Sequence, residues 1–527
     1  MAATLYRNGR IHLMDGSGRM ADSLLVEDGT ITAVGAFAEL RDRIGRPVAE
    51  ADLERRAVLP GLADAHIHTS MHARTMATLD LRGVRSLGEC LELIRVHAAK
   101  SQPGEWVFGN RWDSNIWDVP VQPNRHDLDA ICPDKPVALP SIDGHSFWLN
   151  SRALEALGYD RRTPDPAGGE IVRDAHGDPT GILREVAGHP VEALMASPLS
   201  GDLAVQLRAT QEHLLSVGLT SIHDLDGEDC RGAYREMREA GDLKIRVHKS
   251  IPMAFLDEAI AEGRITGDGD DWISTGPVKL FSDGALGSHT AHMGEDFPGM
   301  PGNHGIEVIE YAELVALIRK AASAGIAVAT HAIGDEANHL VLDAYAETKS
   351  VSDARRLRHR VEHAQHMRRE DVARFAELGV IASMQPTHCT SDIALSNALL
   401  SGRELANYPW RSLLDAGAAL AFGSDAPVED PDPLHGIHAA VTRQDRFGEP
   451  EDGWEPQERL SIVEAWDGFS KGPAFAAGME AKLGRLTAGR LADFIVLSED
   501  PFEVAPHELR DLSVMTTVVG GEIRFQR

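Results

Sequence analysis

The chain is short of cysteine and of positive charge, and it has no long apolar run. Four cysteines, Cys90, Cys132, Cys230 and Cys389, are scattered over 527 residues without a CxxC pair. They do not form a disulfide pattern and read as reduced, mostly buried thiols of a cytoplasmic protein. Lys and Arg number 52 against 81 Asp and Glu, a formal net charge of −29. A field of that sign repels phosphate, which excludes a nucleic-acid binder relying on a general positive surface and argues against anionic membranes. No segment sustains the roughly 18 apolar residues of a membrane span. The opening MAATLYRNGRIHLMDGSG lacks an apolar core, so neither signal peptide nor anchor is expected. With 43% hydrophobic and 25% charged residues, the composition is globular rather than disordered. The length suits several domains, or one large barrel with additions.

What is present is organised in three parts. The first sixty residues and the last fifty alternate apolar and polar positions between turn signals such as Asp28-Gly29 and Gly520-Gly521. Two β-rich ends around an α/β body predict one small sheet domain made from both. Between them, eight apolar strands alternate with helical stretches: 58–68, 219–225, 244–250, 277–283, 325–331, 359–364, 379–385 and 418–425. In 312–324, Leu314, Leu317, Ile318 and Ala321 recur at helical spacing. Eight such strands point to a closed (β/α)8 barrel. The stretch from about 80 to 205 is too long for one connection and reads as an insertion with its own strand near 136–143. The expected domains are therefore 1–57 plus 484–527 (β-sandwich), 58–79 plus 206–483 (barrel) and 80–205 (a subdomain capping the active site).

Chemistry-bearing residues sit at the strand ends. His66 and His68 share one face of the first strand by period-2 alternation, and neutral imidazole suits zinc-like metals. Alone, this pair reads equally well as two core histidines. His331, His363 and Asp425 close three further strands at the edge where a barrel holds its catalytic groups, and the set of five is hard to explain as core. Lys279 lies inside the fourth strand. As a buried ammonium it would lose pKa, and a neutral amine reacts with carbon dioxide to give a carbamate able to bridge two metal ions. Its bland alternative is a lysine reaching solvent or pairing with Asp283. Four of the eight tryptophans, Trp106, Trp112, Trp117 and Trp148, crowd into the insertion with Phe108 and Phe147. They form either the insertion's own core or a pocket wall, and on the second reading Trp117 and Trp148 contact substrate.

The set HxH, Lys, His, His, Asp on strands one, four, five, six and eight resembles the amidohydrolase superfamily of metal-dependent hydrolases. GHSFWLNSRAL (144–154), VKLFSDGALGSHTA (278–291), THAIGDEAN (330–338), FGSDAPVEDPDPLHGI (422–437) and GRLTAGRLADFIVL (484–497) are similar to its YtcJ-like group, which includes N-substituted formamide deformylases. The resemblance implies that His66, His68 and Asp425 bind one metal, His331 and His363 a second, and a carbamylated Lys279 bridges them. With a single metal, His331 or Lys279 would complete the site. It also implies Zn2+, one or two per chain, with Asp425 as general base. His145 is the implied substrate-facing group that stabilises the oxyanion, with a loop histidine satisfied by backbone as the alternative. His289 stands where the group is expected to carry Arg in the fourth-strand motif, a substrate-binding position. His223 and Glu185 are weaker candidates, and His72, His366, His388, His435 and His438 are assigned to structure or solvent. The expected function is hydrolysis of an amide or other C–N bond of a small molecule. A deaminase, a lyase or isomerase on the same barrel, and a non-catalytic scaffold are the alternatives. No nucleic acid or membrane partner is expected, and a homodimer is left open.

Overall fold

The structure is a computed structural model. It describes residues 3–527 apart from 103, 115, 116, 120, 142–145, 167, 168 and 197–202, and leaves aside the side chains of 77, 185, 192, 193 and 196. Contacts divide the chain into two units, Met1–Ser70 with Leu207–Arg527, and Met71–Gln206.

The centre of the first unit is an eight-stranded parallel sheet: β1 (Leu62–Ile67), β2 (Leu219–Asp224), β3 (Arg246–Pro252), β4 (Ile273–Phe281), β5 (Val328–Ala332), β6 (Arg360–His363), β7 (Ile381–Met384) and β8 (Ala419–Phe422). They pair in chain order, β1 to β2 through to β8. The two ends meet just beyond β8. Asp425 donates its backbone N–H to His66 O at 2.7 Å, and His68 N–H donates to Ala426 O at 2.9 Å. Ser424 adds its N–H and hydroxyl to the Asp64 carboxylate. The result is a TIM-type barrel. Its helices cover the sheet with the apolar stripe that the sequence shows: in Tyr311–Ser323, Leu314, Ile318 and Ala321 are buried.

One expected strand divides. The run 58–68 breaks at Gly61, and Ala57–Pro60 joins a different sheet from β1. A Cβ on Gly61 would sit 2.4 Å from the Thr220 side chain, so the backbone passes β2 where only glycine fits. Ala57–Pro60 lies between Arg10–His12 and Phe494–Leu497 in a six-stranded sheet. A four-stranded sheet from residues 3–52 shares a core with it, where Tyr6 packs edge-on to Phe494 with ring centroids 5.0 Å apart.

The second unit carries its own six-stranded sheet, with Val137–Pro140 and Ser146–Leu149 near its middle. Trp112, Trp117 and Trp148 are buried in one cluster with Ile94, Leu128 and Val137. The indole N–H of Trp148 donates to Asn124 O and that of Trp112 to Leu139 O, each at 2.8 Å.

Candidate metal centre

Several barrel strands bring polar side chains to the same end. His66 from β1, His363 from the end of β6 and Asp425 three residues beyond β8 each offer one ligand atom, all within 4.8 Å of one another and all buried. His68 Nε2 lies 3.4 Å from the Asp425 oxygen that is 3.3 Å from His66 Nε2. The ring of His331 is 4.4 Å from that of His363, but its Nε2 turns to Gly284 O at 3.1 Å and Asp283 at 3.4 Å. The closest donor set thus groups His363, rather than His68, with His66 and Asp425. Two members are held in left-handed backbone, His363 at φ 73° and Asp425 at φ 58°. Such conformations persist where the surroundings over-determine them, as at functional sites.

A second layer orients these ligands. His66 Nδ1 donates to Glu362 at 2.7 Å, His363 Nδ1 to Gln385 Oε1 at 2.9 Å, and His68 Nδ1 to Asp226 at 2.9 Å. In each ring the other nitrogen, Nε2, is left for an ion, the arrangement that fixes the tautomer of metal-binding histidines. Beneath it the barrel interior is polar where such barrels usually hold branched apolar side chains. Arg360 Nε is 2.5 Å from Glu362 Oε1, and Arg360 Nη1 donates to His223 Nδ1 at 2.9 Å. His223 faces His248, whose Nδ1 is 2.8 Å from Ser274. Under Asp226, the fully buried Lys249 ammonium donates to the backbone oxygens of Asp226 and Ser250 and lies 3.4 Å from Asp224.

Burial and charge set the protonation states. Burial, reinforced by neighbouring His331 and His66, holds His363 well below its usual value, and burial with Lys279 brings His331 down to about 3. Both are neutral imidazoles. Burial pushes the Asp425 carboxyl up, yet His66, His68 and His363 hold it well below the usual range. Glu362 likewise falls to about 2 against burial, through Arg360 and His66. Burial lowers His68, but Asp226 and Asp425 outweigh it and raise it to about 9, so binding a cation there releases a proton. Lys279 is 3% exposed, and burial lowers it to about 8. It therefore neither reaches solvent nor pairs with Asp283, whose carboxylate accepts the backbone N–H groups of His292, Ile333 and Gly334. Neutral imidazoles, an ionised carboxylate and oriented rings fit a divalent cation.

The other sequence candidates fare differently. His145 lies outside the described residues, as does the Glu185 side chain. His289 is half-buried, with its ring edge-on to Phe297 at 5.1 Å. Trp117 and Trp148 are corrected from substrate contacts to core, since both rings are enclosed within the second unit's own packing. His223 is a packing partner of Arg360, and His366 is buried against Asn407. His388 is the opposite case: the sequence places it in structure or solvent, yet its Nε2 is 3.7 Å from Asp425 Oδ2 and its ring stacks on His363 at 5.9 Å. Glu362, Gln385, Asp226 and Arg360 were also missed. Glu362 carried a faint signal, an acid directly before a strand-closing histidine.

Residues 49–525 match the model of the amidohydrolase family. Three relatives are similar over 99% of this chain. They are the protein LONG AFTER FAR-RED 3 of Arabidopsis thaliana (34% identical, 91% of its length), the putative amidohydrolase YtcJ of Bacillus subtilis (32%, 99%) and the N-substituted formamide deformylase of Arthrobacter pascens (30%, 98%). An uncharacterized metal-dependent hydrolase from Pyrococcus furiosus superposes with a TM-score of 0.77 at 28% identity, covering 95% of this chain and all of that one. With a barrel of this form and a donor set of this kind at its mouth, the chain belongs to the amidohydrolase family of metal-dependent hydrolases.

Proposed function

We propose that the protein hydrolyses an amide or related C–N bond of a small molecule, of the formamide or N-acyl amide type. The observation that carries the reading is the convergence of His66, His363 and Asp425 on one point, with the Asp425 carboxylate held ionised. The substrate class leans on the full-length likeness to an N-substituted formamide deformylase.

His66, His68, His363 and Asp425 would hold a first divalent ion, most simply zinc, and His331 would complete a second position beside His363. When bound, such an ion acidifies water and polarises a carbonyl oxygen. The chain's own residues supply the proton traffic. Asp425 accepts the proton of the attacking water and returns it to the nitrogen that leaves. His388, next to Asp425, donates toward the oxygen on which charge develops. Lys279, brought down to about 8, keeps a minor neutral-amine fraction at neutral pH, and attack of that amine on carbon dioxide, with loss of one proton, would give the carbamate of a two-ion state.

The test is a screen of the metal-loaded protein against N-substituted formamides, N-acyl amino acids, lactams, esters and aminopyrimidines. Turnover of formamides or N-acyl amides, lost on chelation, is the expected outcome. Turnover confined to aminopyrimidines would overturn the proposal in favour of a deaminase, and turnover of esters alone would remove the C–N assignment.

A further inference from the structure

A second concavity opens at the other end of the barrel. It is a cleft of about 530 Å³ lined by Arg231, Arg235, Arg238 and Arg264 and by the start of β4 at Ile273–Thr275. Lys279 lies four to six residues further along β4 than the lining residues Ile273–Thr275, so the cleft is roughly 13–20 Å from the level of Lys279 at ~3.3 Å per residue. It is a separate place, with separate chemistry.

Four arginines line it together with four carboxylates, Glu239, Glu262, Asp268 and Asp270, so the cleft is balanced in formal charge and its chemistry turns on which arginines are paired. Three come from one helix, Glu228–Glu239, where Arg231, Arg235 and Arg238 follow at steps of four and three and so share a face. Two of the four are already engaged. Arg264 donates to Glu228 at 2.9 Å and Glu262 at 2.6 Å, and Arg238 lies 3.7 Å from Asp270 and over the Trp272 ring. Arg231 and Arg235 have neither an ion pair nor a hydrogen bond among the described residues. Arg231 Nε is buried without an acceptor. Burial, then the like charges of Arg264 and Arg235, lower its pKa, and these outweigh Glu228 and Glu262. Two exposed carboxylates, Glu239 and Asp268, line the same cleft but pair with neither arginine. Like charges four residues apart on a helix destabilise it. A buried guanidinium N–H without an acceptor adds a desolvation cost.

We propose that this cleft binds a small multiply charged oxyanion, a phosphate or polycarboxylate, through the forks of Arg231 and Arg235. Guanidinium matches both groups in bidentate geometry, and the volume lies within the range of small-molecule sites. A single charge would leave one arginine unanswered, so the ligand carries at least two. Because the cleft stands apart from the donor cluster, the ligand is a second molecule and not the substrate.

The experiment is calorimetric titration of the metal-loaded full chain with inorganic pyrophosphate and, separately, with citrate. One saturable site is expected, and the tighter probe assigns the ligand to phosphate or to polycarboxylate. In R231Q/R235Q, binding weakens by about tenfold or more, the loss of a charge-assisted hydrogen bond, with metal content unchanged. R235Q alone, at an exposed position, weakens it in the same direction and guards against a folding defect in the double variant. Absence of saturation with either probe would overturn the proposal. So would affinity in the double variant within twofold of the parent, which would place the anion at the metal centre instead.

Discussion

Replacing Glu362 by Gln separates two jobs that one carboxylate performs. Glu362 is fully buried, 2.5 Å from Arg360 on one side and 2.7 Å from His66 Nδ1 on the other. Gln keeps the size and a neutral acceptor for His66 but removes the charge facing Arg360. A buried ion pair broken on one side costs about 3–5 kcal/mol, because the remaining charge is stranded. Arg360 keeps only His223 Nδ1 at 2.9 Å and Ala65 O at 3.3 Å, neither of them anionic. Denaturant unfolding of Glu362→Gln should therefore show a loss of that size. Arg360→Met/Glu362→Gln should recover part of it, since the stranded guanidinium is gone. Metal affinity should behave differently. Loss of the carboxylate that orients His66 weakens binding by about 10–100-fold, and the double variant should not regain it in chelator competition. A single variant within about 1 kcal/mol of the parent, or a double variant no more stable than the single, would refute the ion-pair reasoning.

Four further outcomes follow from the same structure. Elemental analysis should find one or two equivalents of divalent metal, falling in His363→Asn; unchanged occupancy would remove His363 from the ligand set. Asp425→Asn should keep the fold and lose about 10²–10⁴-fold in kcat, as for a displaced general base; turnover within threefold of the parent would place the base elsewhere. Trp148→Ala should cost about 3–5 kcal/mol of stability as a core cavity, without altering preference between aryl and alkyl substrates; a selective rise in KM would restore Trp148 to the substrate. His359 accepts the Val328 N–H on Nδ1 and lies 2.6 Å from Ser352 Oγ through Nε2, and burial lowers it to about 4. Its contribution is complete above pH ~6.5 and lost as pH falls toward 4, by up to about 3 kcal/mol; a pH–stability curve unchanged in His359→Gln would contradict this.

The barrel was legible because each strand is an apolar run whose last polar residue marks its end, as in GIAVATH and RVEH. The break at Gly61 was not, since the Pro-Gly signal sits inside one run that is rich in apolar residues on both sides. Of the site, the ligands could be read one by one from strand ends. Their orienting partners could not: Glu362 meets His66 and Asp226 meets His68 only after the sheet has closed. His388 lies in the short helix Pro386–Ser391 after β7, where spacing gives no hint that its ring stacks on His363. The tryptophans were ambiguous because a pocket wall and a small core share one composition, and only burial separates them.

The pairing of Ala57–Pro60 with Phe494–Leu497 has a consequence for synthesis. Leu59 lies opposite Ile495, so Ala57–Pro60 waits for a partner that is made only when synthesis reaches Phe494–Leu497. At roughly 5–20 residues per second, that wait is tens of seconds. Throughout it, the strand leading directly into β1 has one side unpaired, an edge that invites the wrong partner. The chain is therefore most exposed to mispairing while still on the ribosome. A nascent chain stalled before residue 494 should engage chaperones far more than the released protein.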